Sequence, residues 1–141
     1  MNKKIVVAVS GYFDPIHYGH IEYFQMAKMI GDHLVVIINN NNSAINKKGF
    51  YFMDENERLK IVESIRYVDE AIISVDTDGS VAKTLELIKP DIFAKGGDRS
   101  INNIPQNEVK ICKKMNIKII DNLGNKIQSS SNLINNIKGK I

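Results

Sequence analysis

Two histidines three residues apart, His17 and His20, stand in the stretch Ser10-Gly11-Tyr12-Phe13-Asp14-Pro15-Ile16-His17-Tyr18-Gly19-His20. On the opening turn of a helix, imidazoles at that spacing share one face and can offer two donors to one anion. The apolar run Ile5–Val9 precedes them and a segment of helical spacing follows, so the pair falls at a strand-to-helix turn. Helix N-termini carry amides without intrahelical partners, and phosphate binds there readily. Gly19 lacks a Cβ, which lets a phosphate chain come close to the backbone. Histidines can also simply cap a helix or sit in a polar core. Taken as a whole, the stretch predicts binding of a polyphosphate, with Gly11, Tyr12, Phe13 and Asp14 beside it.

Further candidates follow later apolar runs. Asn39–Gly49 is expected to be a polar loop over the site, its asparagine run a loop feature rather than a separate low-complexity segment. A lysine in that loop, Lys47 or Lys48, would neutralise charge on an α- or β-phosphate, though in isolation both read as solvated charges. Lys95-Gly96-Gly97-Asp98-Arg99 comes next: Gly96 and Gly97 give a nucleotide room at the backbone, and Asp98 can accept from a ribose hydroxyl. An ordinary turn at a strand end is the plainer reading of the same glycines. In Gln128-Ser129-Ser130-Ser131, hydroxyls at a helix start suit phosphate, and N-capping by Ser131 alone explains one serine of the three. Arg99 and Lys126 are candidate substrate contacts, and Tyr12, Tyr18 and Tyr51 could also face an acceptor.

These side chains need a frame that brings them together. Five apolar runs read as buried strands: Ile5–Val9, Leu34–Ile38, Ala71–Val75, Ile92–Ala94 and Ile117–Ile120. Helical spacing separates them, with Tyr23, Phe24, Ala27 and Ile30 on one face of the first helix and Gly31 closing it. Asp54 and Glu57 have capping-box spacing ahead of Leu59, Val62 and Ile65. A third helix begins after Ser80 and stops before Pro90, Pro105 opens a fourth, and Ser131 opens a last one. Alternating strand and helix predicts right-handed βαβ units. The expectation is a single Rossmann-like α/β domain over residues 1–141, its five-stranded parallel sheet in the order 3-2-1-4-5 with helices on both faces. Ligands of such sheets bind beyond the carboxyl ends of the strands, where all the candidate stretches fall.

The 141 residues suit one domain, and 43% hydrophobic with 25% charged residues is ordinary for a globular chain. A net charge of +3 is too mild to point to nucleic acid or a membrane surface. The lone cysteine, Cys112, excludes an intrachain disulfide and reads as a small core residue. Ile5–Val9 is too short for a signal-peptide core or a bilayer span, so a cytoplasmic protein is expected. No Gly-x-Gly-x-x-Gly follows the first strand, which argues against a dehydrogenase.

The pattern Gly11-x-Phe13-Asp14-Pro15-x-His17-x-Gly19-His20 resembles the signature of the HxGH nucleotidyltransferases, which include cytidylyltransferases and adenylyltransferases. The resemblance extends over nearly the whole chain to small bacterial and archaeal members. It implies attack of an acceptor phosphate on the α-phosphorus of a nucleoside triphosphate, with His17, His20 and Lys47 acting on the phosphates. It implies Ser129, Ser130 and Ser131 on the leaving pyrophosphate, and Mg²⁺ held mainly by phosphates rather than by protein ligands. Arg66-Tyr67-Val68-Asp69-Glu70 resembles a cytidylyltransferase subunit interface, which implies a homodimer. Lys95-Gly96-Gly97-Asp98 and Phe13-Asp14-Pro15-Ile16-His17 are more similar to adenylyltransferases, including those acting on heptose phosphate. Many cytidylyltransferases place an arginine before the serines; Asp121–Gln128 has none, and Lys126 is its one cation. The leading expectation is CTP as co-substrate and a small phosphorylated acceptor, either L-glutamine phosphoramidate, as in similar enzymes of capsule synthesis, or a sugar or polyol phosphate. The alternatives are an ATP-dependent adenylyltransferase and a nucleotide-binding module without catalysis.

Overall fold

A computed structural model describes residues 3–96, 104–121 and 123. In chain order the elements are β1 (Val6–Gly11), α1 (Tyr18–Met29), β2 (His33–Ile38), α2 (Asn41–Lys48), α3 (Glu55–Glu63), β3 (Glu70–Ile73), α4 (Ala82–Ile88), β4 (Ile92–Ala94), α5 (Gln106–Lys114) and β5 (Lys118–Ile120). The strands form one parallel sheet in the order β3-β2-β1-β4-β5, as the alternating pattern predicts. Strand order reverses between β1 and β4, which opens a crevice above their carboxyl ends.

Each face of the sheet has its own core, and the side-chain alternation of β1 divides them. Val7 and Val9 join Phe24 and Ala27 of α1 and Val62 of α3, with Leu34, Val36 and Ile38 of β2 between them. Ala8 points the other way and packs with Ile37, Leu85 of α4, Phe93 and Cys112 of α5. Cys112 is a core residue as expected, and burial, followed by Glu108, pushes its thiol up to about 11. With both faces covered, β1 runs apolar from Val6 to Val9 and β2 from Leu34 to Ile38 before polar residues begin at the site. β1 runs two residues past the apolar stretch and delivers Ser10 and Gly11 to the sheet edge. β3 is shorter than its apolar run and stops at Ile73, because Ser74 turns back to hold Asn40.

Residues 39–49 correct the expectation of a loop. Asn41–Lys48 form a helix whose cap is Asn40, accepting from the Ser43 amide at 2.9 Å. Gly49 ends it in the left-handed conformation, φ 86°, donating to the Ile45 carbonyl. Only Ser43 and Ala44 of this helix are buried, so apolar periodicity could not reveal it. Its stability comes from the asparagine run instead. Asn40 Nδ2 donates to the Ser74 and Asp76 carbonyls, while Asn41 donates to Asp54 and accepts from the Glu55 amide. Asp54 caps α3 through the Asn56 amide, as its spacing suggests; Glu57 makes no reciprocal bond among the described residues, and Glu55 accepts from the Asn41 amide.

Candidate active site

His17 is the N-cap of α1, and its Nδ1 accepts from the Gly19 amide at 3.1 Å. His20 completes the box in return, its Nδ1 accepting from the His17 amide at 3.0 Å. Two imidazoles therefore do here what Ser and Glu do in an ordinary capping box. This corrects the expectation of free amides at the turn, since the Gly19 and His17 N–H groups already donate to imidazoles. It does not remove the rings from chemistry. A ring nitrogen that accepts carries no proton, so each neutral imidazole keeps its N–H on Nε2. Among the described residues no bond engages either Nε2, and both histidines line the cleft.

The rings stack with centroids 3.8 Å apart and planes 27° from parallel. Phe13, buried with φ 53°, meets His20 edge-on at 5.0 Å. Burial, with the His17 ring second, pushes His20 down from 6.5 to about 4, so it is neutral near pH 7. Gly11 is what lets Phe13 sit there: a Cβ on Gly11 would lie 2.7 Å from the Phe13 ring. The space at Gly19 goes to His17 in the same way, because a Cβ would meet its Cε1 at 3.0 Å.

Asp14 faces the backbone. Its side chain is fully buried and accepts from the Phe52 and Met53 amides, both at 2.8 Å, and from Lys48 Nζ at 3.3 Å. Burial opposes its ionisation, but the two amides and Lys48 together hold the carboxyl below the usual carboxylate range. Lys48 is thereby tied down, whereas Lys47 lines the cleft with its amino group 5.0 Å above the Tyr12 ring.

Arg58 is the functional residue that pattern reading missed. Its guanidinium has no solvent exposure and donates to the Met53, Tyr12 and Asn39 carbonyls and to Asn41 Oδ1, at 3.0, 2.8, 2.6 and 2.9 Å. It ties the ends of β1 and β2 to the start of α2. Nothing in the sequence separates such an arginine from a solvated one on a helix face. Lys95 was legible only as part of a glycine run. In the fold it is 8% exposed, bonds Ser10 Oγ at 3.2 Å and lies 3.9 Å from Glu108.

The cleft encloses about 1250 Å³, room for a nucleotide and a second small molecule. His17, His20, Lys47, Lys95 and Gly96 border it, with Gly11, Tyr12, Phe13, Asp14 and Gly19. Gly97, Asp98, Arg99, Lys126, Ser129, Ser130, Ser131 and the last expected helix lie outside the described residues. Among the described residues no group of three His, Cys, Asp or Glu could hold a metal ion. The cleft carboxylates are engaged within the protein: Asp78 with Ser80 and Asn107, Glu108 with Val81, Asp14 as above. These residues supply no ligand set for Mg²⁺. Nor is any described helix long and apolar enough to cross a membrane.

A parallel sheet in this order, with a histidine-capped helix opening onto a nucleotide-sized cleft, defines a nucleotidyltransferase of the HxGH superfamily. The chain belongs to the cytidylyltransferase-like family, whose model matches residues 8–136. It is similar to the FAD synthase of Thermoplasma volcanium, 37% identical over 98 residues that cover 70% of this chain and 68% of that protein. It is also 37% identical over 139 residues, 96% of its length, to the bifunctional protein HldE of Campylobacter fetus, of which it spans only 28%. Among solved structures, a lipopolysaccharide core biosynthesis protein from Thermoplasma volcanium superposes with a TM-score of 0.71 at 33% identity, covering 84% of this chain and 96% of that one. A pantoate-beta-alanine ligase from Francisella tularensis shares the fold alone, with a TM-score of 0.54 at 19% identity over 86% of this chain and 59% of that one.

Proposed function

We propose that this nucleotidyltransferase moves a cytidylyl group from CTP to a small phosphorylated acceptor. An acceptor phosphate oxygen bonds to the α-phosphorus, the bond to the oxygen bridging towards the β-phosphorus breaks, and that oxygen leaves with the electron pair as pyrophosphate. Such a displacement needs in-line placement and compensation of oxygen charge, with no protein nucleophile. The observation that carries this reading is the reciprocal histidine cap, which leaves two fixed Nε2–H donors side by side. His17 and His20 donate to the α-phosphate and the bridging oxygen. Neutral rings act as oriented dipoles, and Lys47 and Lys95 bring the positive charge. Mg²⁺ held by the phosphates and water would offset part of the triphosphate charge. Ser129, Ser130 and Ser131 hold the leaving pyrophosphate.

A second reading, ATP as the donor, is favoured by the likeness to FAD synthases, whose product carries adenine. The acceptor is a phosphorylated metabolite of the polyol, sugar or L-glutamine phosphoramidate kind. Two chains pair through Arg66–Glu70, the turn that leads into the edge strand β3. The deciding experiment is pyrophosphate release with CTP, ATP, UTP and GTP in turn against a panel of phosphorylated acceptors. Turnover with CTP supports the first reading and turnover with ATP alone the second. Triphosphate binding without pyrophosphate release across the whole panel would leave a binding module and overturn both.

A further inference from the structure

Ser43 is 1% exposed and lines the cleft, yet its Oγ has no hydrogen-bond partner among the described residues. Its amide is already engaged with Asn40 Oδ1, so the helix cap does not call for the hydroxyl. A buried hydroxyl left unpaired is destabilising, and a bound ligand that pairs with it would recover that cost. Ser43 does not face the cleft alone. Asn46 and Lys47 lie three and four residues further along α2 and border the same space.

The opposite wall is polar and built from three elements. Asn107 Nδ2 of α5 donates to Asp78 Oδ2 at 3.0 Å and to Ser80 Oγ at 2.8 Å, Ser80 Oγ donates to Asp78 Oδ1 at 2.7 Å, and Asn39 Nδ2 reaches the Gly79 carbonyl at 3.2 Å. Val81 and Pro105 are the apolar residues of this wall, and no described aromatic side chain lines it. A flat ring system would find little to stack on there. A hydroxyl suits both sides, since it can donate to the Asp78 carboxylate and exchange either role with Ser43.

We propose that Ser43 is a specificity-determining residue for the acceptor, its Oγ hydrogen-bonding a hydroxyl of a phosphate monoester whose body lies between α2 and the Asp78–Ser80 turn. The inference rests on the nucleotidyl-transfer reading. On that reading the acceptor phosphate must reach His17, His20 and Lys47, while the nucleotide is assigned to Gly96 after β4 and to Ser129–Ser131, which leaves the β2–β3 end for the acceptor. Four residues of helix rise about 6 Å, so a phosphate at Lys47 and a hydroxyl at Ser43 are two or three carbons apart.

The test is a titration of the ¹⁵N-labelled chain, followed by amide NMR, with glycerol 3-phosphate, with ethyl phosphate as its hydroxyl-free counterpart, and with flavin mononucleotide. The expected result is glycerol 3-phosphate binding about ten-fold more tightly than ethyl phosphate, as one added hydrogen bond implies, with shifts at Ser43, Asn46 and Asn107. Ser43→Ala removes that preference and Ser43→Thr retains it, while triphosphate affinity stays as in the wild type. Equal binding of the two small probes, a preference that survives Ser43→Ala, tighter binding of the flavin, or no binding of either small probe at tens of millimolar each overturns the assignment. Failure of the wild type to bind any nucleoside triphosphate counts instead against the nucleotidyl-transfer reading.

Discussion

His17 and His20 cap each other's stretch of backbone, each through Nδ1, and their rings stack at 3.8 Å. One atom of each imidazole belongs to the fold and the other is available to a ligand. Capping and phosphate binding, which read from sequence as rival roles, need not compete, since capping takes Nδ1 and leaves Nε2 unengaged among the described residues.

Replacing His20 should therefore show two separable losses. His20→Ala is expected to lower kcat by about 10²–10³, the range for loss of one transition-state donor. It should also cost about 1 kcal/mol of stability through the lost cap. Asparagine at this position, which keeps an acceptor, should recover part of the stability and none of the rate. Steady-state kinetics beside urea melts separate the two, and a His20→Ala protein with ordinary turnover would remove His20 from the chemistry.

The low pKa of His20 has a signature in stability. Unfolded, the ring takes a proton near 6.5; folded, it resists until about 4, because burial and then His17 disfavour the charge. Between those values the unfolded chain binds more protons, so stability falls as pH drops from 6.5 towards 4. A Tm series across that window should be steeper for the wild type than for His20→Asn. Parallel curves would show that the ring titrates alike in both states.

Lys47 and Lys48 are neighbours with different work. Lys47→Ala should reduce kcat and leave the melting curve unchanged. Lys48→Ala should loosen the Asp14 anchor and lower stability by about 1 kcal/mol. Asp14→Asn should do the same and flatten the acid response. Because the Asp14 carboxyl is held low, its contribution is present above the ordinary carboxylate value and disappears as pH falls through its folded value. Thermal melts between neutral and acid pH, set against kinetics, sort the three variants.

Gly11→Ala tests the packing behind the histidines. The added methyl would press on the Phe13 ring from 2.7 Å, and Phe13 supports His20. A loss of about 1–3 kcal/mol is expected, with kcat falling as His20 shifts. Urea midpoints and single-turnover rates read both effects, and a neutral substitution would mean that Phe13 can yield without disturbing the site.

Arg58 should be the least replaceable side chain outside the cleft. Arg58→Met removes the donor to three carbonyls and one of the two donors to Asn41 Oδ1, at a cost of about 3–5 kcal/mol. Lysine preserves the charge but not the planar fork, so Arg58→Lys should recover little. Denaturation midpoints of the two variants decide whether geometry or charge is the requirement.

The sheet was legible because buried parallel strands such as Leu34–Ile38 and Ile92–Ala94 are uninterrupted apolar runs, and their order follows from right-handed crossovers. α2 was not, since Asn41–Lys48 has almost no apolar face and is held by side-chain hydrogen bonds that sequence spacing does not display. The position of the site was legible, because it depends on residue types at strand ends. The division of labour within it was not. Asp14 sits in the motif but serves the backbone, and Arg58 looks like a surface charge until tertiary structure closes over it.

That closed guanidinium has a consequence for how the family's specificity can diversify. Arg58 fastens the loop after β1, the end of β2 and the first turn of α2 in a single knot. On the proposed reading, exchanges at Ser43, Asn46 or Asn107, which line the cleft, should alter what it admits while leaving that knot in place.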